Sequence, residues 1–207
     1  YTGELPGCRK TLDYLYDLRN KYTCYCIRGN REEYMLDYRK AGEVGWNKGN
    51  SASGCLLYVY EQLTGQDLDF FESLPISQTL SFPDSPPLTI CHGSPRRVNE
   101  KMEPGKEATH DAMESESSPY ILCGHTHIQG EIRHGGKTAW NPGSVGVPLK
   151  SGGQAQFSLL YGADGCWSQE FISLTYDVDE VIRQIADSGM DAYAPYWCKI
   201  TRYMIQG

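Results

Sequence analysis

Gly124-His125-Thr126-His127 places two imidazoles two residues apart, directly after a glycine. In an extended turn residues i and i+2 face the same side, so both rings would reach one site, where two neighbouring metal ions could take one each. The glycine permits close backbone approach. Alone, the tetrapeptide also reads as a surface turn that happens to hold two histidines. His92, in Cys91-His92-Gly93-Ser94-Pro95, is a further histidine before a glycine, and in isolation reads as a hydrogen-bonded structural residue. Asn30, in Arg28-Gly29-Asn30-Arg31-Glu32, reads in isolation as the cap of a following helix. Other tempting residues have plainer readings. His110 lies in a polar stretch and His134 in a hairpin turn, both ordinary exposed settings. Asp13 and Asp17 read as solvated carboxylates on a helix, and Cys91 and Cys123 as small apolar groups filling strand core.

The elements that must position these residues are legible from periodicity and turn chemistry. Leu12, Leu15, Tyr16, Arg19 and Tyr22 fall at helical spacing, and a short strand is expected over 22–27. Helix-favouring composition resumes over 32–39 and is broken by Gly42, Gly45 and Gly49. Ser51 or Ser53 can cap a helix carrying Leu56, Leu57, Tyr60 and Leu63, and residues 64–74 read as another helix, stopped by Pro75. From Ile76 the pattern changes to strands: 77–82, a turn through 83–87, then 88–91 ending at His92. Residues 95–118 read as a polar surface excursion with some helix. The apolar run 120–123 ends at the Gly-His-Thr-His motif, two short strands flank His134-Gly135-Gly136-Lys137, and a hairpin over 154–161 and 167–174 precedes a helix over 178–188. Tyr193, Tyr196 and Trp197 read as packing a terminal segment down. Trp46 reads equally as loop packing and as part of a mobile lid. Helix and strand alternate first and strands dominate later, which suits sheets covered by helices rather than a bundle or a pure sandwich. Asn30, His92, His125, His127 and Asn141 all fall at predicted strand ends, where ligands gather in such folds.

Composition narrows the function classes. A chain of 207 residues, 40% hydrophobic, can bury a single core. A formal charge of -7 argues against general nucleic-acid binding through a basic surface, while a small anionic substrate held at a metal stays compatible. No apolar run is long enough for a membrane span and no signal-peptide pattern opens the chain. Eight dispersed cysteines read as reduced thiols, so a cytoplasmic location is expected.

In the order Gly-Asn, His-Gly, Gly-His-Thr-His, Asn-Pro-Gly-Ser, the motifs resemble the calcineurin-like metallophosphoesterases, particularly the small bacterial single-domain phosphodiesterases. The resemblance runs from Tyr1 to about Pro148; beyond it only the strand pattern agrees. It implies an α/β fold of two packed mixed sheets flanked by helices, formed by residues 1–207 as one domain with 34–60 as a helical insertion or lid. It implies that Asn30, His92 and His125 bind one divalent metal ion and His127 a second, from among Mn, Fe, Zn and Ni. It implies metal-activated hydrolysis of a phosphate ester or anhydride in a small phosphorylated substrate or a phosphoprotein, while the charge and hydropathy already argue against a general nucleic-acid or membrane partner.

The family also brings an Asp-x-His and a Gly-Asp from its N-terminal part, and neither occurs before Gly29-Asn30, so a truncated N-terminus is expected. Family members often carry histidine after Gly-Asn, and here the residue is Arg31. Arginine is a poor general acid but a good bidentate clamp for phosphate oxygens, so Arg31 is expected to bind substrate and stabilise developing charge. Its plainer reading is a surface salt bridge to Glu32 or Glu33. The rival function is a binding or scaffold module that keeps the fold without the chemistry, as in the retromer subunit of this superfamily. Loss of the Gly-Asn-His histidine favours it, and the intact Gly-His-Thr-His motif opposes it.

Overall fold

The computed structural model describes residues 1–3 and 5–206; Glu4, in the opening loop read from the sequence, and Gly207 lie outside the described residues. The chain divides into two compact units. The first comprises Tyr1–Cys26, Arg31–Leu74 and Asp177–Gln206, and the second comprises Ile27–Asn30 and Pro75–Tyr176.

The first unit is helical. Helix α1 (Cys8–Lys21) buries Leu12 and packs Leu15 and Tyr16 against the same cluster, as its spacing requires. Helix α2 (Asn30–Lys40) contributes Met35 and Leu36, and α3 (Gly54–Tyr60) contributes Val59. Helix α4 (Gly65–Ser73) opens with a reciprocal cap in which Thr64 Oγ1 accepts from the Asp67 N–H and Asp67 accepts from the Thr64 N–H. It closes before Pro75, whose ring disfavours helical backbone at Leu74. Trp46 stacks on Tyr38, with ring centroids 3.9 Å apart, which gives it a packing role. Helices α6 (Val178–Asp187) and α7 (Pro195–Gln206) bury Ile185, Cys198 and Ile205 in a second cluster with Cys55. The sequence reading found only packed aromatics after residue 190. The missed signals for α7 were Pro195 at its first position and the spacing of Cys198, Thr201 and Ile205.

The second unit is built on a mixed sheet of order β1-β2-β3-β5-β4, in which β2, β3 and β5 run parallel and the two outer strands are antiparallel to their neighbours. The strands are β1 (Ser77–Phe82), β2 (Ser85–Cys91), β3 (Tyr120–Leu122), β4 (Gly130–His134) and β5 (Lys137–Asn141). Helix α5 (Glu107–Ser115) lends Met113 to one face, against Ile121, Cys123 and Ala139. The other face carries Leu80, Leu88 and Ile90. Against it lies a second, two-stranded antiparallel sheet, β6 (Ala155–Ala163) with β7 (Cys166–Leu174). Trp167 pins that ribbon down, edge-on to Phe82 with its Nε1–H donating to the Pro86 carbonyl at 2.8 Å.

Two local expectations need correction. Residues 22–27 are not a strand: they join no ladder, and the Arg28 N–H instead donates to the Pro75 carbonyl at 2.8 Å. An apolar, extended-looking run becomes a strand only where a neighbour supplies the partners. Conversely, β2 begins at Ser85 and includes Pro86 and Pro87, which the reading placed in a turn. The prolines are tolerated because pairing with β3 starts only at Leu88, and the register with β1 is irregular between Leu80 and Phe82.

Candidate metal centre

Three adjacent parallel strands deliver His92, the Gly124–His127 turn and Asn141. The register aligns Ile90 with Leu122 and Leu122 with Trp140, so His92, Gly124 and Pro142 each lie two residues beyond an aligned position. The Gly124 N–H extends the pairing past the strands, donating to the His92 carbonyl at 2.6 Å. A side chain on Gly124 would place its Cβ 3.3 Å from that oxygen, so the close approach anticipated from the glycine is real. Gly93 is more constrained, because a Cβ there would lie 2.6 to 2.8 Å from the carbonyl oxygens of Arg97, Val98 and Glu100.

Asn30 is the first residue of α2, and its Oδ1 accepts from His92 Nε2 at 2.8 Å. The His92 and His125 rings meet edge to face with centroids 5.2 Å apart. Asn30 and His92, 62 positions apart in the chain, are thus brought together with His125 beside them. His127 is placed separately. Its Nδ1–H donates to the Val147 carbonyl at 2.8 Å, and its own carbonyl accepts from the Leu149 N–H at 3.0 Å. That bond fixes the tautomer and leaves Nε2 as the nitrogen with a lone pair.

The turn carrying the two histidines differs from the extended geometry assumed from spacing. His125 has φ 64° and His127 φ 57°, and the Thr126 N–H donates to the Gly124 carbonyl at 2.7 Å. A bond between residues two apart around a positive φ is the strained form of γ-turn, so the alternation rule for extended chains does not apply. Asn141, noted as a strand-end residue and as the start of the Asn-Pro-Gly-Ser motif but not as a ligand, is buried and bonded to this turn. No sequence signal gave it a role, because its partners lie 15 and 17 residues away.

Arg31 belongs to the first unit, and its Nε donates to the Thr2 carbonyl at 2.7 Å. Glu32 is buried and accepts from the N–H and hydroxyl of Thr2. The cysteines beside the candidate ligands are core groups: burial holds the Cys91 thiol well above its ordinary pKa and pushes Cys123 up to about 12. Both stay neutral thiols, poor metal ligands. His110 and His134 are not isolated exposed residues as expected. Their rings stack at 3.9 Å, and His134 Nε2 pairs with Glu114 at 2.7 Å, because α5 lies against β4. Asp13 and Asp17 are exposed on α1, as expected.

Among the described residues, no three His, Cys, Asp or Glu side chains form a complete metal-binding group. The donors that do converge still suit a divalent ion. Ligands about 2.1 Å from one ion stand roughly 3.0–3.4 Å apart for octahedral to tetrahedral angles. Asn30 Oδ1 and His92 Nε2, at 2.8 Å, need only a small spread once His92 gives up the intervening proton. The set is uncharged, so it fits as a partial set of modest affinity.

The calcineurin-like phosphoesterase superfamily profile matches residues 3–162, spanning all the candidate ligands. Among solved structures, a hypothetical protein from Pyrococcus horikoshii OT3 superposes with TM-score 0.80 at 17% identity, covering 99% of this chain and 82% of that one. A metallophosphoesterase from Sphaerobacter thermophilus superposes with TM-score 0.61 at 20% identity, covering 83% and 76%. At these identities the likeness shows the fold. No curated protein matches the chain.

Proposed function

We propose that this chain, which belongs to the calcineurin-like phosphoesterase superfamily, is a metal-dependent hydrolase of phosphate esters or anhydrides. One observation carries the reading: Asn30 Oδ1 and His92 Nε2 meet at 2.8 Å with the His125 ring alongside, the two histidines lying just beyond the ends of the parallel strands β2 and β3. Asn30, His92 and His125 would hold one divalent ion and His127 a second, with imidazole and amide donors suiting Mn, Fe, Zn or Ni. When bound, such ions polarise phosphoryl oxygens and lower the pKa of water.

The chain's own groups do the positioning. The amide of Asn30 orients the His92 ring, and the Val147 carbonyl holds the His127 tautomer. Arg31, which follows Asn30 in the chain, is proposed as a fixed positive charge that clamps phosphate oxygens, since guanidinium keeps its proton near neutral pH. The leaving group then draws its proton from water. The substrate is a small phosphorylated molecule or a phosphoprotein, and the formal charge of -7 makes a polyanionic nucleic acid a poor fit. No helix among the described residues is long and apolar enough to cross a membrane.

The test is hydrolysis of an aryl phosphodiester by the Mn-supplemented protein, before and after chelation, beside His92→Ala. Turnover that chelation and the substitution both abolish supports the enzyme. Intact fold with neither metal uptake nor turnover refutes it and favours a scaffold module.

A further inference from the structure

Asn141 is 6% exposed, and its amide is fully committed. Its Nδ2 donates to the Gly124 carbonyl at 2.7 Å and to Thr126 Oγ1 at 2.9 Å, and its Oδ1 accepts from the Gly143 N–H at 3.0 Å. Both Nδ2 partners flank His125, the residue at φ 64°. Within the turn the Thr126 N–H donates to the Gly124 carbonyl, and a non-glycine residue at positive φ is strained. The conformation persists only if surrounding groups over-determine it. The Asn141 amide does this from below, with one donor on each side of the histidine.

We infer that Asn141 is a positioning residue of the proposed metal site, holding the Gly124–Thr126 turn so that His125 keeps its left-handed backbone. The inference rests on the reading of His125 as a ligand. Asn141 touches neither metal nor substrate in this account; it acts through the turn. The arrangement also separates the two histidines of the motif, since His127 is held by Val147 and Leu149 instead.

The experiment compares wild type, Asn141→Ala, Asn141→Asp and a stability control, Ile121→Val, which trims a fully buried residue of β3. Asn141→Asp is nearly isosteric but sets a carboxylate against the Gly124 carbonyl. Two quantities are read: Mn(II) affinity by titration calorimetry, and the φ-sensitive NMR couplings of His125 in metal-free protein. The inference expects both Asn141 variants to weaken Mn(II) binding by about 10- to 100-fold, the usual scale for groups that orient metal ligands. It expects the His125 couplings to leave the positive-φ range in both, while Ile121→Val changes neither quantity. Unchanged couplings in both variants overturn it, whatever the affinity does, and so does an equal affinity loss in Ile121→Val. If wild type binds no Mn(II), the metal reading of the site fails, and the positioning inference is decided by the couplings alone.

Discussion

Replacing His125 by glycine should stabilise the metal-free protein relative to replacing it by alanine, the reverse of what glycine does almost everywhere else. His125 sits at φ 64°, where a Cβ crowds the backbone and costs about 1–2 kcal/mol, histidine being among the better-tolerated residues there. Glycine removes that cost but gives back roughly 0.5–1 kcal/mol through the greater freedom of the unfolded chain. The expected difference is therefore about 1 kcal/mol in favour of His125→Gly over His125→Ala. For a chain of this size that is about 2–4 °C in Tm. A matched pair at Lys10, exposed on the right-handed helix α1, should show the opposite sign, with Lys10→Gly less stable than Lys10→Ala by about 1 kcal/mol. Urea denaturation without metal, followed by circular dichroism, measures both pairs. Adding Mn(II) should then raise the wild-type midpoint and leave both His125 variants unmoved, since only a protein that binds the ion gains stability from it. Equal stability of the glycine and alanine variants at position 125, or the same sign at both positions, would refute the strained-turn account.

Three further outcomes are expected. Gly93→Ala, whose new methyl would fall 2.6 to 2.8 Å from three carbonyl oxygens, should cost about 3 kcal/mol and displace His92, read as a lower Tm together with lost Mn(II) binding; a Tm within one degree or so of wild type contradicts it. Asp67 is 1% exposed; burial works to raise its pKa, but hydrogen bonds from Arg9, Tyr16 and Thr64 overrule it and hold the pKa down at about 2. Because the folded value lies below the unfolded one near 3.9, this contribution is complete above about pH 5 and is lost as pH falls toward 2, so the urea-measured stability gap between wild type and Asp67→Asn should shrink by about 2 kcal/mol over that window. Arg31→Ala should lower kcat/KM on aryl phosphodiesters by about 10²–10³-fold, equally for good and poor leaving groups, as loss of a fixed charge rather than of an acid; unchanged kcat/KM with metal binding intact removes the clamp.

The sequence was most informative where one local rule decides the outcome. Strand β1 matches its expected span, because Pro75 and Pro83 punctuate it on either side. The helix read over 64–74 and the His134–Lys137 hairpin follow from local punctuation alone. Legibility fell where partners are remote. Residues 22–27 carry strand-like composition without a ladder, while Pro86 and Pro87 look like breakers yet extend β2 where one side is unpaired. At the candidate site the residue types of Asn30, His92 and His125 were readable, and their meeting depends on the parallel register of β2 and β3, which no short motif encodes. The positive φ of both histidines was equally hidden: groups bonded to this turn, Asn141 and Val147 among them, lie outside the motif.

The central claim is most directly tested by a crystal structure of the protein grown with Mn(II), with anomalous data collected at the manganese edge. The account predicts an anomalous peak within coordination distance of Asn30 Oδ1, His92 and His125 together, with the bond between Asn30 and His92 opened to admit the ion. A fold unchanged from the present one, with His92 still bonded to Asn30 and manganese absent from all three side chains, would contradict it.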